Sequence, residues 1–374
     1  MMLENCVNDG NISGMYNFGG FIGTIENVVR VHVIFSEGIN NGNITGNGYA
    51  GGCIGVLQGS DGADVIVQSF TNNGIIKGDS TFGGLFGSIL LNENTKVSIS
   101  NAINNGKVTG DSYLGGIIGD VEDNTNFNLN LFNVTNNGII HGKEKTAGGL
   151  IGDVYDNINA TVYISKSFNN GLINSSDLAA GLFGRAYSSD RDDYNLTLVI
   201  TNSMNKGDVL ANEGMSCGLF CVDPTNHKDI KTTVLNSANK GSIFGTTNAS
   251  GIANNITNAI NVVSMGKVNG TSKTFSFWSA VLNVNSFYGL KTICSNCDMN
   301  GTAFELNSQT GFYEVVGTGA HVDELLNDKV SEENYEMYWT SKLELYETVA
   351  SLSSASTCFL SFILFSVFIF ALFY

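Results

Sequence analysis

One phrase recurs along the chain, most cleanly at residues 101–119, NAINNGKVTGDSYLGGIIG. An apolar lead-in meets Asn-Asn-Gly, followed by x-[Ile/Val]-x-Gly, a short polar gap and a Gly-Gly-apolar-apolar-Gly block. Anchored on the glycine of the first part, the copies fall at Gly10, Gly42, Gly74, Gly106, Gly138, Gly171, Gly207, Gly241 and Gly266. The spacings are 32, 32, 32, 32, 33, 36, 34 and 25 residues. Such a period means one supersecondary unit stacked many times, which constrains the fold more than any single motif.

Each position around the anchor has its own character. Two residues before it stand Asn8, Asn40, Asn72, Asn104, Asn136, Asn169, Asn205 and Asn239, with Ser264 in the last copy. Two residues after it stand Ile12, Ile44, Ile76, Val108, Ile140, Ile173, Val209, Ile243 and Val268. Four after it only Gly, Ser or Ala is found, which implies close backbone approach or positive φ. Upstream, apolar residues such as Val65 and Val67, or Val97 and Ile99, alternate with period two, as in a strand with one buried face. The Gly-Gly-x-x-Gly block reads as another buried strand. No sustained 3.6-residue period exists across residues 1–270, and 45 glycines weigh against helices.

These constraints predict an all-β chain. Its expected form is a right-handed parallel β-solenoid of about nine coils, with roughly three short strands per turn, over residues 4–279. Equivalent residues would stack about 4.8 Å apart, giving a rod of about 43 Å. Asn40, Asn72, Asn104, Asn136 and Asn169 would then form an amide ladder. The words GGLFG at 83–87, GKVTG at 106–110 and GGLIG at 148–152 resemble GLUG-type repeats. Those repeats occur in β-solenoid surface proteins, including bacterial adhesin-like proteins and protozoan surface antigens. The resemblance implies surface display or adhesion. The 32-residue period is longer than the compact form of that motif, so a polar excursion is expected in each coil, with 122–128 and 188–193 as candidates.

A formal net charge of −16 disfavours nucleic acid as a partner. Cys6 and Cys53 replace apolar repeat residues and read as buried thiols. The CxxxC of Cys217 and Cys221 and the CxxC of Cys294 and Cys297 admit zinc or disulfides. Their separation and the lack of a nearby His favour local disulfides or free thiols. N-glycosylation sequons include Asn11, Asn43, Asn133, Asn159 and Asn195.

The repeat stops near residue 279. Residues 280–348 read as a mixed α/β cap or stalk with a short amphipathic helix around His321, and 349–357 as a small-residue linker. The uncharged run 358–374, CFLSFILFSVFIFALFY, is expected to anchor the chain in a membrane. As a helix it spans about 25 Å against a ~30 Å hydrocarbon core. Small residues before a terminal apolar tail also fit a lipid-anchor signal, so a GPI anchor and a transmembrane helix stay open. Met1 opens almost directly into a repeat, which leads to the expectation that more sequence precedes it.

No catalytic residues, metal site or cofactor are expected. Asp120 and Asp153 follow successive Gly-x-x-Gly blocks and would stack one coil apart, where a solvated turn competes with cation binding through Glu122 and Asp123. Asp208 and the four histidines fall at unrelated offsets. The expected function is a non-enzymatic, membrane-anchored cell-surface protein, its repeats extracellular and adhesive or antigenic toward host-cell or glycan ligands. A β-helical glycan-active enzyme and a structural spacer are the alternatives.

Overall fold

The computed structural model describes residues 1–189, 194–223, 229–271, 273–275, 280–290, 302–310, 313–333 and 336–347. Residues 64–90 show the plan of one coil. Strand Asp64–Gln68 is followed by Thr71–Asn72, Ile76–Gly78, Phe82–Gly83 and Phe86–Leu90. The first two lie in a 19-stranded sheet, here the first wall. The next two belong to separate 9-stranded sheets, the second and third walls, and the last to a 7-stranded fourth wall. The result is a parallel β-solenoid of about eight turns. Each coil has four walls rather than three, because the second glycine of the Gly-Gly pair and the residue after it form a corner and the next strand begins at Phe86 in this coil.

Stacking is in register. Ile44 pairs with Ile76, Ile76 with Val108, and Val108 with Ile140. Along the first wall Val65 pairs with Val97 and Val67 with Ile99, all fully buried. One such side chain removed from water contributes about 1.5–3 kcal/mol. No coil can bury it without a neighbour above and below. One apolar lobe lies between the first and fourth walls, and a second between the second and third. At the N-terminal end Phe21, Phe35 and Phe70 meet edge to face, with centroids 4.9–5.8 Å apart.

Between the lobes the coil is pinched by asparagine. Asn40, Asn72, Asn104, Asn136, Asn169, Asn205 and Asn239 are fully buried. Each Nδ2 donates to the Oδ1 one coil onward, at 2.7–2.8 Å, from Asn8 through to Asn239. The second amide hydrogen goes to the carbonyl two residues on, as in Asn104 to Gly106 at 2.9 Å. Across the waist sits the second glycine of the Gly-Gly pair. A Cβ on Gly84 would lie 2.0 Å from the Gly116 carbonyl oxygen and 2.6 Å from Cγ of Asn104. The other small positions have the same cause: a Cβ on Gly78 would fall 1.6 Å from the Gly46 oxygen. Close approach, rather than positive φ, keeps that position to Gly, Ser or Ala.

Positive φ appears instead in columns at the corners. One column runs through Ser69 (φ 55), Asn101 (φ 52) and Asn133 (φ 53). Two more bracket the corner from the fourth wall to the next coil, at Asp123 (φ 51) and Asn126 (φ 51). Residues 122–128 are therefore a tight corner and not a polar excursion. The corner is closed by a second buried amide ladder, in which Asn92 donates to Asn124 and Asn124 to Asn157, each at 2.9 Å. Of 188–193, residues 190–193 lie outside the described residues.

The first wall runs on through Ala280–Leu290 and Thr302–Leu306, then turns antiparallel at Tyr313–Val315. Helix α1 (Val322–Glu333) and a hairpin of Met337–Trp339 with Leu345–Glu347 fold back against the last coils. Val322, Leu326, Val330 and Trp339 pack with Met204, Ala238 and Val263. Trp339 Nε1 donates to Asn236 Oδ1 at 2.6 Å, and Asn236 Nδ2 to the Met337 carbonyl at 2.8 Å. Lys206 and Lys240 both reach Glu344, and Lys166 reaches Glu336. No described helix is long and apolar enough to cross a membrane. The expected linker 349–357 and anchor 358–374 lie outside the described residues.

Asn104→Ala strands a buried donor on Asn72 and a buried acceptor on Gly106. We expect it to lower stability by about 2–4 kcal/mol in denaturant titration, against no more than about 1 kcal/mol for the exposed Asn105→Ala. Equal effects would show that the inner ladder is not a stabilising element. Gly84→Ala is expected to be at least as damaging as Asn104→Ala.

Candidate functional site

A cluster of buried ionisable groups lies on the side of the fourth wall turned away from the first lobe. Ser88, Asp120, Asp153 and Arg185 are register partners on successive strands. Parallel stacking therefore sets the two carboxylates one rung apart, about 4.8 Å at the backbone. Both are buried, Asp120 at 2% exposure and Asp153 at 1%. Arg185 closes a bidentate pair on Asp153, Nε to Oδ1 at 2.8 Å and Nη2 to Oδ2 at 3.0 Å. Its guanidinium lies 5.5 Å from the Tyr113 ring centroid and 5.1 Å from that of Tyr187, with Asp223 at 3.9 Å. Lys145 stands over the other side of the cluster, 4.8 Å from the Tyr113 centroid.

The electrostatics follow from this burial. Loss of water pushes the Asp120 carboxyl well above the usual carboxylate range, with Ser88 easing it only in part and Glu122 and Asp153 adding to the rise. Asp120 Oδ1 has no hydrogen-bond partner. Burial also raises Asp153, opposed by the charge and hydrogen bonds of Arg185. The Tyr49 hydroxyl is pushed up to about 12 by burial and by the negative charge of Asp120 and Glu122. Arg185 remains a cation, held by Asp153 against its own desolvation. The arrangement cross-braces three strands. Neither carboxylate is presented to a ligand, and the solvated turn expected at Asp120 and Asp153 is instead a buried wall.

The remaining candidates are dispersed. Asp208 sits elsewhere and accepts the Ser242 N–H at 2.8 Å. His32 pairs with Asp64 at 3.0 Å, whereas His321 faces Glu314 and Glu324 in the cap. Among the described residues no three His, Cys, Asp or Glu side chains converge to hold a metal ion. Cys217 and Cys221 form a disulfide across the corner between the third and fourth walls, next to buried Leu178 and Met215. Cys53 is a buried free thiol and Cys6 a half-buried one. Cys294 and Cys297 lie outside the described residues.

The exposed surface carries a feature the sequence analysis did not separate from the inner ladder. The second asparagine of each Asn-Asn-Gly points outward, and Asn41, Asn73, Asn105, Asn137 and Asn170 link at 2.8–2.9 Å, ending on Asp9. Exposed Ile39, Ile75, Ile103, Ile139 and Leu172 flank it. The same column becomes Lys206 and Lys240 where the cap docks. All five sequon asparagines named above are exposed. Asn11 and Asn43 accept a backbone N–H of the next coil through Oδ1. By contrast, Nδ2 of Asn133 and of Asn159 is already donated to a neighbouring rung. Arg185 was missed because a lone arginine in a fourth-wall strand has no repeat signature; the stacking alone reveals its partner.

No protein-family model matches this chain, and no curated protein or solved structure does so either.

Arg185→Met leaves Asp153 buried without its partner and is expected to cost about 3–5 kcal/mol. The double variant Arg185→Met with Asp153→Asn should recover much of that loss; no recovery would sink the pairing account. For Asp120, a folded pKa above the unfolded one means stability falls as pH rises past about 4, where only the unfolded carboxyl ionises. Asp120→Asn should flatten that fall and raise the denaturant midpoint at neutral pH. An unchanged pH profile would refute a protonated Asp120.

Proposed function

We propose that this chain is a non-catalytic, membrane-anchored surface protein of the GLUG-like repeat type, whose rod displays ordered side-chain columns for adhesion or as an antigenic coat. The observation that carries this reading is the exposed amide ladder from Asp9 to Asn170, with an exposed apolar residue on one side or the other of its rungs. It offers a partner the same amide donor and acceptor at every step, with an exposed apolar residue beside each rung that changes side from coil to coil (Ile39, Ile75, Ile103, Ile139), so many weak contacts can add along the rod. A disulfide between Cys217 and Cys221 supports an oxidising compartment. The exposed sequons support the same placement. Anchoring rests on the uncharged run 358–374. Against the glycan-active enzyme stands the burial of Asp120 and Asp153, the one stacked carboxylate pair the alternative relied on.

Intact cells expressing the full chain are expected to label with an antibody to the rod, and the labelled protein to gain mobility after removal of N-glycans. Binding of that surface-displayed protein to a glycan array or host cells, reduced by Lys at positions 73, 105 and 137, would support adhesion over a passive coat. Confinement of the protein to the cell interior would end the proposal.

A further inference from the structure

Six Asn-Gly steps lie between residues 41 and 171, at Asn41, Asn47, Asn73, Asn105, Asn137 and Asn170. This dipeptide is the most prone to deamidation, because glycine leaves the following backbone nitrogen free to attack the side chain. That nitrogen bonds to Cγ of the asparagine, the Cγ–Nδ2 bond breaks, and ammonia leaves with the proton. Water then opens the resulting succinimide to aspartate or isoaspartate.

Five of the six steps belong to the exposed ladder, where both reacting groups are held. The attacking N–H of Gly42, Gly74, Gly106 and Gly138 donates to the carbonyl of Asn8, Asn40, Asn72 and Asn104 at 3.2–3.3 Å. That of Gly171 donates to Asn169 Oδ1 at 3.3 Å. The leaving Nδ2 of each is donated to the rung before it at 2.8–2.9 Å. Asn47 differs: it is exposed on the corner between the second and third walls. Neither its side chain nor the Gly48 N–H has a hydrogen-bond partner among the described residues.

We propose that, of these six steps, Asn47 is the one that deamidates in the folded rod, and that the ladder asparagines are latent sites shielded by stacking and released by unfolding. Succinimide formation requires the glycine nitrogen to leave its carbonyl acceptor and swing onto Cγ, which the ladder allows only when a coil opens. Isoaspartate adds a methylene to the backbone and shifts the register of everything after it, so a coil altered while open cannot restack in register. Even plain aspartate ends the ladder as Asp9 does, since a carboxylate accepts but does not donate. Time spent unfolded is thereby recorded in covalent form.

The test ages the full chain at mildly alkaline pH, folded and in denaturant, and reads each peptide by mass for a gain of about one dalton and by isoaspartate content. In the folded protein Asn47 should convert, with the five ladder sites more than about tenfold slower. In denaturant all six should proceed at similar rates. Refolding yield should fall with ladder isoaspartate, and further than in protein aged folded to the same Asn47 conversion. Ladder sites that keep pace with Asn47 in the folded state, or an Asn47 as slow as they are, would overturn the assignment.

Discussion

The structure depends on identical amides being able to satisfy one another along an axis. An asparagine buried alone would strand two donors and an acceptor. Stacked at the repeat of a parallel sheet, each rung gives one hydrogen to its own coil and one to the next, and no polar atom inside the column is left over. The waist glycines exist because that column needs room. The inner ladder donates toward the C-terminus and the outer one, a residue away, donates toward the N-terminus. Their amide dipoles oppose each other over the coils where both run.

Where the chain departs from its repeat, the departure does structural work. In the fourth wall, an outward position elsewhere filled by Val56 or Ser88 becomes Asp120, Asp153, Arg185 and Cys221 on successive strands. The charges are brought together by stacking, then braced by Tyr113 and Tyr187. The disulfide takes over at the coil where this polar series ends. A carboxylate series in a β-solenoid is thus no sign of catalysis until its exposure is known.

Much of this was readable before any coordinates. Periodicity and the residue class at each offset imply parallel in-register stacking, because only that arrangement gives Ile44, Ile76 and Val108 the same environment. The amide ladder followed from the same reasoning. The number of walls did not, since a Gly-Gly corner and a short glycine-bounded strand look alike in one dimension. The 122–128 corner was misjudged as an excursion because its polarity masks a buried Asn124. Arg185 and the cap's contacts through Trp339, Glu336 and Glu344 join residues far apart in sequence, which no local pattern encodes.

Among the described residues the cap grips the last coils through Asn236 and the lysines that replace the outer asparagines there. Only Lys166 and Phe168 carry the described contacts one coil further back. Whole thirty-two-residue units could therefore be gained or lost among the regular coils before Asp120 without disturbing the cap, since an inserted turn there meets neighbours of the same pattern as the ones it displaced. Reach becomes a quantity that gene duplication can adjust in fixed steps.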